Sequence, residues 1–282
     1  MGRIVRHIRI HVCLQGIRSA LTFGFNWFAR PWAQAKYRIF STEFAMPIPQ
    51  EISSVLVLQG ITAPLRLADF KLIAFDMDST LINIECVDEI ADAAGRKAEV
   101  SAITEAAMRG EITDYKDSLR QRVALLKGVS VASMEQVYTQ RLQLNPGAAT
   151  LVAACKAAGM QVLLVSGGFT FFTDRIRDLL HIDATRSNHL EIEGGLLTGR
   201  MVDQPWGDIC DGEEKRKMLL ETCTHMGIGP HQAIAMGDGA NDLPMMGVAG
   251  LSVAHHAKPA VRAQAMVAIN SGGLDRLLEI LH

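Results

Sequence analysis

The stretch FDMDSTLI, residues 75–82, places two acids where a buried strand is expected to end. Asp76 and Asp78 stand two positions apart and directly follow the apolar run 72–75. A carboxylate is costly to bury alone, but two of them at a strand end can hold a hard cation or act on a bound anion. The residue types and their spacing therefore indicate chemistry at this point of the chain.

Two further polar clusters follow apolar runs later in the chain. Ser166-Gly167-Gly168 closes the run QVLLV, and DGAND, residues 238–242, closes the run QAIAMG. Each cluster alone is compatible with a turn or a helix cap, where Gly, Ser and Asp are common. Three clusters after three strands, with Lys215 between the last two, favour one shared site. Ligands of open α/β sheets bind at the carboxyl ends of the strands.

These residue types suit the handling of a phosphate group. Mg²⁺ takes carboxylate, water and phosphate oxygens as ligands, and such an ion allows a carboxylate to approach an anion as a nucleophile. Ser166, the N–H groups of the two glycines that follow it, and Lys215 are suited to hold the phosphate oxygens.

The elements that position these residues alternate between strand and helix from about Asp69 onward. Strands are predicted at 71–78, 161–168, 232–237, 251–254 and 266–269, helices at 170–180 and 213–225, and a hairpin at 189–202. Asn145 is predicted to be the N-cap of a further helix that begins at Pro146. This alternation is typical of an α/β fold with a Rossmann-like, doubly wound parallel sheet covered on both faces.

Residues 84–145 interrupt the alternation. They are rich in Ala, Glu, Lys, Arg and Leu, show helical spacing of apolar residues and contain no convincing strand. We interpret them as a helical insertion after the first strand, and we call this segment the cap.

Composition narrows the class of protein and its partners. The 282 residues are 49% apolar and carry a formal net charge of −2, so the broad basic field of a nucleic-acid-binding protein is missing. Five widely spaced cysteines without a C-x-x-C pair disfavour a disulfide framework or a zinc site and indicate a cytoplasmic protein. An apolar run of about 18 residues, which a membrane span requires, is absent, so no membrane association is expected for the core.

The first 45 residues differ in composition from the rest. They contain seven Lys or Arg residues against the single acid Glu43, together with several aromatic residues. We expect residues 1–45 to be disordered, or to precede a true translation start at Met46, and a membrane-surface or targeting segment is the alternative. Residues 1–68 are predicted to form an extension and residues 69–282 the catalytic domain.

The motifs FDMDSTL, VSGGF, the lysine of EEKRKML, and GDGANDLPM occur in this order along the chain. Together they resemble the four motifs of the haloacid-dehalogenase-like phosphatases. The segments NIECVDEIA and MRGEITDYKDSLRQRVALLKG of the cap, and the later HAKP, make the chain most similar to the phosphoserine phosphatases within that group. The resemblance extends from about Asp69 to the C-terminus.

The resemblance implies chemical roles for the acids. Asp76 is expected to be the nucleophile and to form an aspartyl-phosphate. Asp78 is expected to be the general acid and then the general base, which requires a raised pKa. Mg²⁺ is expected to be held by the carboxylate of Asp76, the backbone carbonyl of Asp78, and Asp238.

The resemblance also implies binding roles. Ser166, Gly167 and Lys215 are expected to bind the phosphoryl group, Asn241 to face it, and Asp242 to hold Lys215 or a metal-bound water.

In the cap, the resemblance pairs Glu85 with the ammonium group and Arg122 with the carboxylate of phosphoserine. Considered alone, each of these two residues is also compatible with an ordinary exposed charge. The reaction expected from the family is the last step of serine biosynthesis, and a homodimer is a possible assembly.

Other functions stay open at this point. The protein could hydrolyse another small phosphomonoester, or transfer the phosphoryl group to an alcohol. A phosphate-binding regulator without turnover is a rival from another class, but the acid at Asp78 argues against a long-lived aspartyl-phosphate. His255 and His256 could suggest a metal pair, yet they lie outside the four motifs, and we expect structural roles for both. The N-terminal regulatory domain of some family members is not recognisable in residues 46–68.

Overall fold

The computed structural model describes residues 50–53, 55–109 and 111–282. The predictions made for residues 1–45 lie outside these described residues.

The described residues contain a nine-stranded sheet. Its strands are β1 (Gln50–Ser53), β2 (Leu56–Leu58), β3 (Leu72–Phe75), β4 (Gln161–Phe169), β5 (Ala184–Glu193), β6 (Leu196–Val202), β7 (Ala233–Gly237), β8 (Leu251–His255) and β9 (Val267–Ile269). The helices are α1 (Cys86–Ala93), α2 (Lys97–Met108), α3 (Tyr115–Ala124), α4 (Val131–Gln140), α5 (Ala148–Ala157), α6 (Thr170–Leu180), α7 (Gly212–Met226), α8 (Leu243–Met246) and α9 (Pro259–Arg262).

The strand order is β1-β2-β9-β8-β7-β3-β4-β5-β6. The six strands from β9 to β5 in this order pair in parallel, and antiparallel pairs extend the sheet at both ends. The predicted α/β fold with a largely parallel sheet is confirmed. Helices α1 to α4 lie between β3 and β4 in the chain, where the sequence indicated a helical insertion.

Both faces of the central strand β3 are buried, as its uninterrupted apolar run indicated. Ile73 and Phe75 belong to one apolar cluster, whereas Leu72 and Ala74 belong to a second cluster on the opposite face. The second cluster includes Met218 of α7. Since alternate residues of a strand point to opposite faces, a strand with apolar residues at every position requires this two-sided burial.

The first strand ends earlier than the sequence indicated. It was predicted to run to residue 78, but β3 ends at Phe75, and residues 77–81 form a wide turn that is closed by a hydrogen bond from the N–H of Ile82 to the carbonyl oxygen of Met77 at 3.0 Å. Within this turn Ser79 has the left-handed backbone conformation (φ 57°), and its N–H donates to the carbonyl oxygen of Ile84 at 3.2 Å. The turn takes the chain out of the sheet and towards the cap.

The predicted N-cap role of Asn145 was wrong. Gly147 occupies the N-cap position of α5, and the side-chain amide of Asn145 instead donates to the carbonyl oxygens of Thr80 at 2.7 Å and Ile82 at 2.9 Å. The turn after β3 leaves carbonyl groups without strand partners, and buried carbonyls need a donor. Asn145 supplies it and thereby ties the turn to the end of the cap segment.

Strands β1 and β2 were not predicted. β2 pairs antiparallel with β9, and its Leu56 and Leu58 are fully buried in the core. The continuous apolar run 55–58 was the signal for this strand, but so short a run does not separate a strand from an extended loop. Within the described part of the chain, no helix combines the length and apolarity needed to cross a membrane.

Candidate active site

The carboxyl ends of three adjacent strands meet at one edge of the sheet. β3 pairs in parallel with β4 on one side and with β7 on the other, and its last residue is level with Leu164 and Met236. Asp76, Ser166 and Asp238 therefore lie at the same edge of the sheet. The cap covers this edge, and a cleft of about 500 Å³ lies between the two.

The structure brings all ten predicted site residues together. The cleft is lined by Asp76, Asp78, Ser166, Gly167, Asp238 and Asn241 from the core, and by Glu85 and Arg122 from the cap. Lys215 and Asp242 lie beneath the cleft and are fully buried. Their chemical roles stay predictions.

A buried lysine joins two of the acids. The Nζ of Lys215 donates to Oδ1 of Asp76 at 2.5 Å and to Oδ1 of Asp242 at 2.6 Å. Burial lowers the pKa of Lys215, but the carboxylates of Asp242 and Asp76 together outweigh burial and hold the pKa well above its usual value. The lysine therefore stays charged below the cleft, next to the proposed nucleophile.

Negative charge is crowded around this lysine. Carboxylate oxygens of Asp76, Asp238 and Asp242 lie within 4.8 Å of one another. Burial and the neighbouring carboxylate of Asp242 raise the pKa of Asp76, and the same two causes raise the pKa of Asp238 to about 7. One lysine cannot balance three acids, so the group fits a divalent cation with oxygen ligands. A cation here would favour the ionised form of each acid.

Asp78 lies in a different environment from Asp76. Its Oδ2 accepts a hydrogen bond from the backbone N–H of Cys86 at 3.3 Å, while its buried Oδ1 has no partner among the described residues. Burial, together with the charge of Glu85, raises the pKa of Asp78 to about 7. A carboxyl group with this pKa can both give and take a proton near neutral pH.

The C-terminal end of β4 is shaped by its small residues. The Oγ of Ser166 is buried and accepts a hydrogen bond from the N–H of Gly168 at 2.8 Å. A Cβ atom at Gly168 would lie 3.0 Å from Ser166 Oγ and 3.2 Å from Asp78 Oδ2, so a larger residue would press on both. Glycine at this position lets the strand end approach the acids.

Two residues that sequence reasoning missed support the site. Asn188 of β5 is fully buried; its amide donates to the carbonyl oxygen of Gly167 and its Oδ1 accepts from the N–H of Cys210, both at 2.8 Å. Asn188 thus ties the end of β4 to the loop before α7. Thr80 donates to Oδ1 of Asp238 at 3.3 Å. Thr80, two residues after D-x-D, was visible in the sequence as a hydroxyl near the acids, whereas no local pattern marked Asn188.

The loop after β7 is held by Asp242. Its Oδ2 accepts hydrogen bonds from the N–H groups of Asp238 at 3.2 Å and Gly239 at 3.0 Å, while its other oxygen contacts Lys215. The predicted contact between Asp242 and Lys215 is therefore present. The same side chain fixes the loop that carries Asp238 and Asn241.

The cap brings the two predicted residues Glu85 and Arg122 to the cleft, together with the further acids Asp88 and Asp114. Glu85 Oε1 accepts a hydrogen bond from the Ser79 hydroxyl at 2.6 Å, which places this acid beside the turn that carries Asp78. Arg122 lies on α3, and its Nε donates to the carbonyl oxygen of Ser118 at 3.4 Å. Its two terminal nitrogens have no hydrogen-bond partner within the described ranges and are free to bind a carboxylate.

The two neighbouring histidines lie outside this cleft. Their rings stack with centroids 4.1 Å apart, and His255 is buried with no partner for either ring nitrogen among the described residues. His256 is exposed, and its Nε2 lies 2.9 Å from the carbonyl oxygen of Gly272.

The chain was compared with known proteins. A family model of the haloacid dehalogenase-like hydrolases matches residues 73–247. A phosphoserine phosphatase of Polaromonas sp. is 82% identical over 233 residues, which cover 83% of this chain and 99% of that protein. Two solved structures, described as a phospho-aspartyl intermediate analogue and a substrate-bound complex of phosphoserine phosphatase, are each 36% identical with a TM-score of 0.69. Each match covers 76% of this chain and 99% of the solved chain.

The matches agree with the four motifs and with the site that the fold assembles. The resemblance found in the sequence is confirmed. The chain therefore belongs to the haloacid dehalogenase-like hydrolases and, within them, to the phosphoserine phosphatase family.

Proposed function

We propose that the protein is a Mg²⁺-dependent phosphomonoesterase that hydrolyses O-phospho-L-serine to L-serine and phosphate. One observation carries the proposal: Asp76 and Asp78 line the same cleft as Glu85 and Arg122. The first pair suits phosphoryl transfer, and the second pair matches the ammonium and carboxylate groups of an amino acid. In a cell this reaction would be the last step of serine biosynthesis.

The reaction begins with Asp76. Its carboxylate attacks the phosphorus atom, and the bond from phosphorus to the serine oxygen breaks. The electron pair of that bond goes to the serine oxygen, which takes the proton of Asp78. The raised pKa of Asp78 supports this role, because the group must be protonated at the start. Lys215 offsets negative charge beside the nucleophile throughout.

The second half of the reaction releases phosphate. A water molecule attacks the phosphorus of the aspartyl-phosphate and gives its proton to Asp78, now a base. The bond from phosphorus to Asp76 breaks, and both residues return to their starting forms. The relative described as a phospho-aspartyl intermediate analogue supports a covalent step of this kind.

The metal ligands would be the carboxylates of Asp76 and Asp238 and the backbone carbonyl of Asp78. When bound, Mg²⁺ would neutralise phosphate charge and let an anionic nucleophile approach it. The crowding of carboxylates at this point supports such a site.

The remaining residues bind the substrate. Ser166 and Gly167, together with Lys215, would hold the phosphoryl oxygens, and Asn241 would face them from the loop after β7. We further propose that residues 84–145 act as a specificity cap on a catalytic domain that spans residues 69–282. A cytoplasmic location and a homodimer stay predictions.

The test is phosphate release from O-phosphoserine and from a panel of sugar, nucleotide and other small phosphomonoesters, each with and without Mg²⁺. We expect a strong preference for phosphoserine and a requirement for the metal. A preference for another phosphomonoester would contradict the substrate assignment. Transfer of phosphate to an added alcohol at a rate above hydrolysis would favour a phosphotransferase instead.

A further inference from the structure

Tyr115 brings an uncharged donor from the cap to the core. It is the first residue of α3, and its side chain lines the cleft. A methyl group added at Gly167 would overlap the tyrosine hydroxyl oxygen, and the next nearest atoms would be the Tyr115 Cζ at 3.3 Å and the carbonyl oxygen of Cys210 at 3.6 Å. The hydroxyl therefore occupies the space that glycine leaves free at residue 167.

This hydroxyl lacks a partner in the described part of the chain. Tyr115 is half-buried at the cleft, and a tyrosine ring that is partly buried usually places its hydroxyl where a hydrogen-bond partner can reach it. Burial raises the pKa of Tyr115, so the group is a neutral donor, and it lies within electrostatic reach of Lys215, Arg122 and Asp76. The site thus has a free donor beside the glycine that we assign to phosphoryl binding.

We propose that the Tyr115 hydroxyl donates a hydrogen bond to a phosphoryl oxygen of the bound substrate. Tyr115 is then a substrate-contacting residue that the cap contributes to the phosphoryl site. The inference rests on the proposed function in taking Gly167 as part of that site. It also gives a physical reason for glycine at residue 167: a side chain there would displace the hydroxyl.

The first test replaces Tyr115→Phe, which removes the hydroxyl and keeps the ring. Three quantities are measured: kcat/KM for phosphoserine, kcat/KM for phosphoethanolamine, and the inhibition constant of inorganic phosphate. The phosphoryl group is common to all three ligands, so we expect all three to worsen by a similar factor, about 10-fold for a hydrogen bond to a charged group.

The control is Tyr138→Phe. Tyr138 lies on α4 of the cap with the Arg175 guanidinium 5.5 Å from its ring centre, and it does not line the cleft. We expect no change in the three quantities for this variant. An unchanged inhibition constant of phosphate in Tyr115→Phe would overturn the proposal, as would a loss confined to phosphoserine.

The phosphate measurement separates this inference from the proposed function. If the enzyme prefers another phosphomonoester, that compound serves as the reporter substrate, and inorganic phosphate still tests the Tyr115 contact. If the wild-type enzyme does not hydrolyse phosphoserine, the substrate assignment is contradicted, whereas weaker inhibition of Tyr115→Phe by inorganic phosphate would still support the Tyr115 contact.

A second test examines the contact between Tyr115 and Gly167. Gly167→Ala is made in the wild-type chain and in the Tyr115→Phe variant. Without the hydroxyl, the nearest side-chain atom to the added methyl group is a ring carbon at 3.3 Å, which is tight but tolerable. We expect Gly167→Ala to lower kcat/KM by a smaller factor in the variant than in the wild type. Equal factors in the two backgrounds would overturn the inferred contact.

Discussion

Lys215 donates hydrogen bonds to both Asp76, at 2.5 Å, and Asp242, at 2.6 Å. The first partner is 139 residues away in the sequence and the second is 27 residues away. The lysine and Asp242 are fully buried. The proposed nucleophile is therefore held by a cation that is itself fixed by a second acid. The stability of the fold and the charge around the nucleophile therefore depend on the same three side chains.

Lys215→Met should destabilise the protein strongly. It leaves the carboxylates of Asp76 and Asp242 buried without their cation, a change that costs about 3–5 kcal/mol in the free energy of unfolding. Urea unfolding in the absence of Mg²⁺ measures it. Adding Asp242→Asn should recover part of the loss, because one uncompensated charge is removed.

The matched control is Lys217→Met on the same helix. Lys217 is exposed and contacts Glu214 at 3.5 Å and Glu221 at 3.8 Å. Such surface pairs contribute about 0–1 kcal/mol. Equal losses for the two lysine variants would show that burial of Lys215 does not determine its contribution.

Asp76→Asn should abolish multiple turnover, since an amide is not a competent nucleophile. Its side-chain oxygen can still accept from Lys215, so the thermal unfolding temperature should change little. Phosphate release by the purified variant over many turnovers measures the effect. Sustained turnover would exclude a covalent step at this residue.

Asp78→Asn should slow the reaction by roughly 10²–10⁴. The replacement keeps the backbone carbonyl and the side-chain shape but removes proton transfer. Mg²⁺ affinity, measured by titrating activity or by calorimetry, should hardly change. A collapse of Mg²⁺ affinity would instead make the side chain of Asp78 a metal ligand.

Arg122→Ala should lower kcat/KM for phosphoserine by roughly 10- to 150-fold. This range follows from about 1.5–3 kcal/mol for a charge-assisted hydrogen bond. Phosphoethanolamine has the same ammonium and phosphate groups but no carboxylate, so its hydrolysis should hardly change. Glu85→Gln is the matched variant and should lower kcat/KM for both substrates, because both carry the ammonium group. Equal losses on the two substrates for Arg122→Ala would assign Arg122 to the phosphate or to the cap.

His255 should make the protein less stable in mild acid. Burial and the neighbouring His256 lower the pKa of His255 to about 4. Between this value and the ordinary value of about 6.5, the unfolded chain binds a proton that the folded protein rejects. Stability is therefore complete above about pH 6.5 and falls as the pH drops, by roughly 2 kcal/mol between pH 7 and pH 5.

The variant His255→Leu removes the imidazole. We expect the loss of stability between pH 7 and pH 5 to be smaller in this variant by roughly 2 kcal/mol. Unfolding by urea at pH 7 and at pH 5, for wild type and variant, measures the difference. The same loss of stability in both proteins would show that other groups cause the acid sensitivity.

The sequence by itself determined the catalytic edge of the fold. Apolar runs that end in D-x-D, S-G-G and D-G-A-N-D marked β3, β4 and β7, because the burial of a parallel strand shows as an unbroken apolar run. Once these strands lie in parallel, their carboxyl ends must share an edge. Asp76, Ser166 and Asp238 could therefore be placed together before any distance was known.

Only the tertiary structure decided which side chains meet. Thr80 reaches Asp238 across 158 residues, Asn188 joins the end of β4 to the loop before α7, and Asn145 serves the turn after β3 instead of its own helix. Such contacts depend on strand order and on the position of the cap. A local sequence pattern indicates whether a residue is buried and on which face of its element it lies. Which distant residue it contacts is determined only by the tertiary packing of the whole domain.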